Sequence, residues 1–428
     1  EVEPVSTAHL ARFLLDWHEV EVRRHGDHAL RDVVDQLQGA PLPASTLESE
    51  IFPNRIRDYD QAQMDRLCAG GEVIWQGVRS AGPNDGRIAL YTSTMAPLLA
   101  RETTPLEGDL YQSIREALNQ RGALFFADLL RDVGGFQDDV LRALWDLVWN
   151  GEVSNDTLAP LRSLRRKSKP KTRRRRGRGL RALMPRGAEG RWWLISSRIG
   201  GRESDTDRAL NTAQQLLERH GVLTRESLDY EAIKGGFSVL YPVLKELEGL
   251  GRLRRGYFVE GLGATQFAIP GAEDDLRRDP PHEDEQRALI LAATDPASPF
   301  GAAASWPSEV NAHFERAPGA RVVIHNGFLI GFFSRSGKSL TTVFSEDGAT
   351  ARRQLEALVA ACDASLERLE RAAMVVEQLD GELPAASPYV EAFLEGGFRL
   401  SGQGLLLRRS TSDDTSHARG RYTLQDRI

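Results

Sequence analysis

Two cysteines in 428 residues, Cys68 and Cys362, exclude a disulfide framework and a Cys-based zinc site. The nine His are scattered without metal-ligand spacing. No run of 18 or more apolar residues occurs, so no membrane span is expected. The acidic start and the short apolar run after it do not fit a signal peptide. There is no Walker-type phosphate loop, no acidic helicase box, no His-Glu-x-x-His pair and no nucleophile elbow. Gly261-Leu262-Gly263 lacks the strand–helix context of a dinucleotide site and reads as a hairpin turn. The chain alone is therefore not expected to hydrolyse ATP or to hold a cofactor, and its cysteine usage fits a reducing, cytoplasmic setting.

The composition that remains, 41% hydrophobic and 27% charged, is that of a globular protein. The formal net charge of −6 conceals an asymmetry. Residues 162–186 hold thirteen Lys or Arg and no Asp or Glu, so the rest of the chain is strongly acidic. One concentrated basic segment on an acidic body points to a local polyanion contact.

One arrangement recurs along the chain. MDRLCAGGEVIW at 64–75, LWDLVWNGEVSN at 144–155 and LKELEGLGRLRR at 244–255 each run from an apolar helix through a glycine and one polar residue into a strand. Upstream of each lie further amphipathic helices, such as Asp109–Gln120 and Asp205–Arg219. The third copy is the clearest. Its helix carries Val239, Leu240, Val243, Leu244, Leu247 and Leu250 at helical spacing, and a basic hairpin follows through Tyr257-Phe258-Val259 to Gln266–Ile269. A helix followed by such a hairpin is the second half of a winged-helix module, and three copies predict a tandem array. After Pro280-Pro281 the pattern becomes several antiparallel strands, including a His325-Asn326-Gly327 hairpin, with one long helix at Ala349–Arg371. The predicted class is α+β: tandem winged-helix modules at 1–105, 106–200 (with the 162–186 insertion) and 201–280, a small antiparallel β-barrel-like module at 281–410, and a polar tail at 411–428.

The basic segment nominates Arg165, Arg166, Lys167, Lys169, Lys171, Arg173, Arg174, Arg175, Arg176 and Arg178 for phosphate contacts. Its alternative is a solvated loop. The third helix and wing add Lys245, Arg252, Arg254 and Arg255. Trp192, Trp193, Tyr257 and Phe258 either stack bases or close a core. Asp295, after an apolar strand and before two prolines, either activates water or stabilises a cation, or simply forms an Asx turn. Gln38, after an amphipathic helix, either holds a water or ends the helix.

The strings LPASTLESEIFPNRIRDYD, LCAGGEVIWQG, GGFSVLYPVLKELE, RRGYFVEGLGATQFAIPGA and LAATDPASPFG resemble the C-terminal region of bacterial large helicase-related (Lhr) proteins, and the likeness runs to about Arg408. This resemblance implies an ATPase core N-terminal to the region, where ATP and Mg would bind, and a chain cut from a longer one. It implies tandem winged helices with a β-barrel and homo-oligomers, tetramers in particular. DNA repair, with single-stranded DNA or DNA–RNA hybrids as partners, and a nucleoid-associated location are expected. The region is also similar to AlkZ/YcaQ DNA glycosylases, whose Gln-x-Gln or Gln-x-Asp motif corresponds here to Gln38-Gly39-Ala40, without the second polar side chain. DNA glycosylase activity on uracil or a damaged base, with a key aspartate for which Asp295 is the candidate, is the alternative function to a non-catalytic assembly and DNA-binding module.

Overall fold

The computed structural model describes residues 3–26, 28–165, 185–200, 203–231, 233–280, 287–308, 310, 312–402 and 404–409. Helices α1 (Thr7–Trp17), α2 (Ala29–Leu37) and α3 (Gln61–Ala69) precede the β2–β3 hairpin (Val73–Ser80 and Gly86–Thr92), with β1 (Leu42–Pro43) between α2 and α3. The second module runs α4 (Asp109–Arg121), β4 (Leu124–Phe125), α5 (Phe126–Val133), α6 (Gln137–Trp149), β5 (Val153–Asn155), α7 (Ala159–Arg165) and β6 (Arg191–Leu194). The third runs α8 (Asp205–His220), β7 (Val222–Leu223), α9 (Arg225–Glu231), α10 (Gly236–Gly249), β8 (Arg254–Gly256) and β9 (Gln266–Ala268), with α11 (Ala272–Leu276) after it.

The three small sheets share one strand order: β1-β3-β2, β4-β6-β5 and β7-β9-β8, all antiparallel. The repeat glycines explain why. Gly71, Gly151 and Gly251 take φ of 73°, 83° and 72°, a left-handed conformation that only glycine adopts freely. In each case the next residue's N–H donates to the carbonyl five residues back: Glu72 to Leu67, Glu152 to Leu147, Arg252 to Leu247. This is the Schellman stop, which satisfies the last helical carbonyls and turns the chain into a strand.

The modules do not have three separate interiors. Trp75 and Ile88 of the first share one apolar core with Leu144, Val148 and Trp192 of the second. Gly77 makes this possible: a Cβ there would lie 2.0 Å from the Val148 carbonyl oxygen. The third module has its own core around Leu216, Leu240, Leu244 and Phe267. Helix α1 stands first in sequence but packs on the third module, where Leu10, Phe13 and Leu14 meet Val222, Phe258 and Val259. Val5 and Val259 add a backbone bridge there.

The chain divides into two units. The first holds the described residues up to Arg278 and Thr294–Ala304; the second holds 279–293 and the residues from Ser305 onward. In the second, β10 (Ala288–Ala292), β11 (Arg321–His325), β12 (Phe328–Phe333), β13 (Ser339–Thr342) and β15 (Gln378–Leu379) form one sheet in that order. Helix α12 (Gly348–Arg368) covers it through Leu358, Cys362 and Leu366. Strands β14 (Ala373–Val376), β16 (Arg399–Ser401) and β17 (Gly404–Arg408) make a second small sheet, and α13 (Val390–Glu395) lies between β15 and β16 in sequence. The β11–β12 turn is the expected one, with Asn326 and Gly327 at φ 50° and 81°. The barrel expectation is corrected: among the described residues neither sheet closes. β10 and the two-residue β15 stay as edges, and β15 joins β13 in parallel, a direction that an all-antiparallel closure does not contain.

Among the described residues no helix is long and apolar enough to cross a membrane.

Candidate nucleic-acid site

A cleft of about 830 Å³ opens in the first unit where all three modules meet. The first supplies Gln38 and Gly39, just after α2, and the second supplies Trp149 and Asn150 at the end of α6. The third supplies Arg219 on α8 and Glu231 on α9. Ligand sites favour such junctions because several elements converge on one concavity.

Gln38 is almost fully enclosed, at 1% exposure. Its Nε2 donates to Asp35 Oδ1 at 2.9 Å, and its Oε1 accepts from the Thr92 N–H and hydroxyl, both at 3.2 Å. One amide N–H is left, since the group carries two. The Gln38 carbonyl accepts from Arg219 Nη2. Gly39, at φ 81°, lies beneath that guanidinium: a Cβ there would stand 3.7 Å from Nη2. Arg101 binds the Gly39 carbonyl at 3.3 Å and the Glu231 carbonyl at 3.0 Å, tying the first module to the third.

Glu231 is buried and ionised. Burial alone raises its carboxyl, but Arg219 and the His220 ring outweigh this and hold it at about 2. Oε1 stands 2.6 Å from Arg219 Nη1 and 2.9 Å from His220 Nε2, while Oε2 has no hydrogen-bond partner. His18, behind them, is held well below the usual histidine range by burial and by the neighbouring Arg55, His220 and Arg219 side chains, so it is neutral at pH 7. The floor of the cleft is thus a set of fixed charges and amides, and its accessible rim carries Thr103, Lys234 and Trp149.

The structure places Asp295 elsewhere. Its carboxylate makes a bidentate pair with Arg55, at 2.6 and 2.8 Å, and Oδ1 also accepts from the Ala297 N–H at 2.8 Å. Both side chains are at most 1% exposed. The Asx turn is present, and the residue is a buried clasp that does not line the cleft. Gln38 is therefore the one of the two candidate catalytic residues that the fold brings to the cleft.

Of the basic residues, Arg166, Lys167, Lys169, Lys171, Arg173, Arg174, Arg175, Arg176 and Arg178 lie outside the described residues. Arg165 is exposed at the end of α7. Arg162, the first cation of the segment, is structural: it binds Glu48 and Asp65, both at 2.7 Å. Lys245 and Arg252 are exposed, but Arg254 pairs with Glu273 and Arg255 with Glu248, so the wing is partly neutralised. Trp192, Trp193 and Phe258 belong to cores, and only Tyr257 is exposed, at 40%. Arg219 and Glu231 escape sequence reasoning because they lie inside ordinary amphipathic helices. The one local signal is charge on the buried side of a helix.

Two segments, residues 5–93 and 202–288, match families described as "Large helicase-related protein, winged-helix domain". A Mycolicibacterium smegmatis protein named "Lhr helicase/ probable uracil glycosylase" is 38% identical over 95% of the chain. An Escherichia coli "Lhr helicase/uracil glycosylase" is 33% identical over 94% of it. The chain spans 28% of the length of each. Among solved structures, the Streptomyces sahachiroi DNA glycosylase AlkZ matches with a TM-score of 0.55 and 16% identity, over 88% of this chain and 100% of AlkZ. At that identity the likeness is one of fold.

Proposed function

Because the chain belongs to the large helicase-related proteins, we propose that it is the base-excising and nucleic-acid-binding region of a larger DNA-repair helicase, with uracil in single-stranded DNA as the first substrate to test. The observation that carries this reading is the three-module cleft with Gln38 in its wall. Support comes from relatives whose names pair a helicase with a uracil glycosylase, and from a glycosylase fold. The base is extruded from the strand into the cleft that Gln38 and Gly39 line. The C1′–N bond breaks and its electron pair leaves with the base. A water oxygen bonds C1′, and the water's proton passes to the departed base. The ionised floor around Glu231 cannot reorganise freely, which favours developing charge over neutral ground states.

The second reading is an assembly module without chemistry of its own. In it the chain makes a tetramer, offers auxiliary contacts to single-stranded DNA or DNA–RNA hybrid, and serves an N-terminal helicase core that holds ATP and Mg in a cytoplasmic, nucleoid-associated enzyme. The family resemblance favours it. Uracil-containing single-stranded DNA, incubated with the purified chain and then treated to cleave abasic sites, separates the two. The excision reading expects product that falls at least about tenfold in Gln38→Ala. No product at stoichiometric protein overturns it. Loss confined to Asp295→Asn, with the fold intact, moves the chemistry away from the cleft.

A further inference from the structure

A second concavity, about 870 Å³, lies in the same unit between the tip of the β2–β3 hairpin and α6. Arg79 from the hairpin, Arg142 from α6 and Arg186 line it, and all three are exposed. Its aromatic wall is Tyr111, Trp145 and Trp149. We propose that this groove is where single-stranded nucleic acid enters, and that Trp149 is the stacking platform over which it passes into the cleft. The proposal rests on the nucleic-acid reading above and adds a path to it.

Three observations lead there. First, the groove and the cleft share Val78, Trp149 and Asn150, so the Trp149 ring divides two parts of one channel. Second, the ring is fixed. It lies 5.2 Å from Trp145, and a Cβ at Gly86 would strike it at 2.4 Å. A rigid, half-buried indole with one packed face stacks an unpaired base with little loss of side-chain freedom. Third, Leu164 and Arg186, the two roots of the basic segment, sit at this groove. Residues 166–184, between them in sequence, hold ten further Lys or Arg.

The groove itself is not strongly basic. Asp138 and Asp146 also line it; Arg142 lies 3.3 Å from Asp139, and Tyr111 donates to Asp146 at 3.0 Å. The arginines there contact phosphates and set register, while the aromatic wall takes the bases. Stacking on Trp149 requires unpaired bases, which selects a single strand over a blunt duplex.

The test uses the full chain and a fluorescent oligonucleotide, read by anisotropy across a salt series. Arg79→Gln with Arg142→Gln is expected to lower the slope of log K against log salt by about 1.4, two phosphate contacts at roughly 0.7 each for a single strand. Trp149→Ala is expected to weaken binding by about tenfold or more, and Trp149→Phe, which keeps a stacking face and the seat against Gly86, to retain most of it. If the double arginine variant keeps both affinity and slope while Arg173–Arg176→Ala flattens the slope, the groove is not the path and the broader reading survives. Absence of single-strand binding by the unaltered chain overturns both. Equal losses on a blunt duplex overturn the single-strand assignment.

Discussion

Arg55 and Asp295 are opposite charges held 240 residues apart in sequence and almost wholly out of water. Removing one partner leaves the other charged and enclosed. Asp295→Ala is expected to destabilise the first unit by about 3–5 kcal/mol, measured by denaturant unfolding. A change under about 1 kcal/mol would mean that the pair is not enclosed in solution. Glu231 gives a pH signature. Its carboxyl is held at about 2 against an ordinary 4.5, so its contribution is fully present above pH 4.5 and is lost as pH falls from there towards 2. The gap in Tm between the unaltered chain and Glu231→Gln should therefore shrink between pH 5 and pH 3, and a constant gap would count against the ion pair. The Asx turn at Asp295 was legible in its proline neighbours. Its partner was not, because no local pattern announces a pairing across 240 residues.

Helices and hairpins were the most readable parts of the chain. The Gly71, Gly151 and Gly251 stops recur at matching places in three segments, and each turns the chain with the same positive φ and the same hydrogen bond. Gly77 shows what such patterns miss. It looks like an unremarkable strand glycine, yet β2 lies so close to the end of α6 that a methyl group would meet the Val148 oxygen at 2.0 Å. Gly77→Ala is expected to cost about 2–3 kcal/mol in thermal or denaturant unfolding, as forced overpacking does. Gly249→Ala, where nothing lies within 4 Å, is expected to be neutral or slightly stabilising. Equal effects at both positions would overturn the close approach. The wing's charge is only partly legible for a related reason. Arg254 and Arg255 looked available in sequence, but their acidic partners Glu273 and Glu248 reach them only in the folded module.

For the molecule as a whole, sequence gave the α+β winged-helix class and missed two things that depend on distant contacts: the open sheets of the second unit, and the return of Thr294–Ala304 to the first. Alternation of apolar residues marks a strand but does not say whether the last strand meets the first. The assembly reading predicts a light-scattering mass near four times 47.5 kDa, and a clean monomer would set it aside. The seating of α1 on the third module has a consequence in time. Leu10, Phe13 and Leu14 leave the ribosome ahead of Val222, Phe258 and Val259, which follow about 200 residues or more later. At roughly 5–20 residues per second, that apolar face waits on the order of ten to fifty seconds for its cover. During synthesis the first helix is thus a surface for chaperones, and slowing translation between the first and third modules should lengthen its exposure.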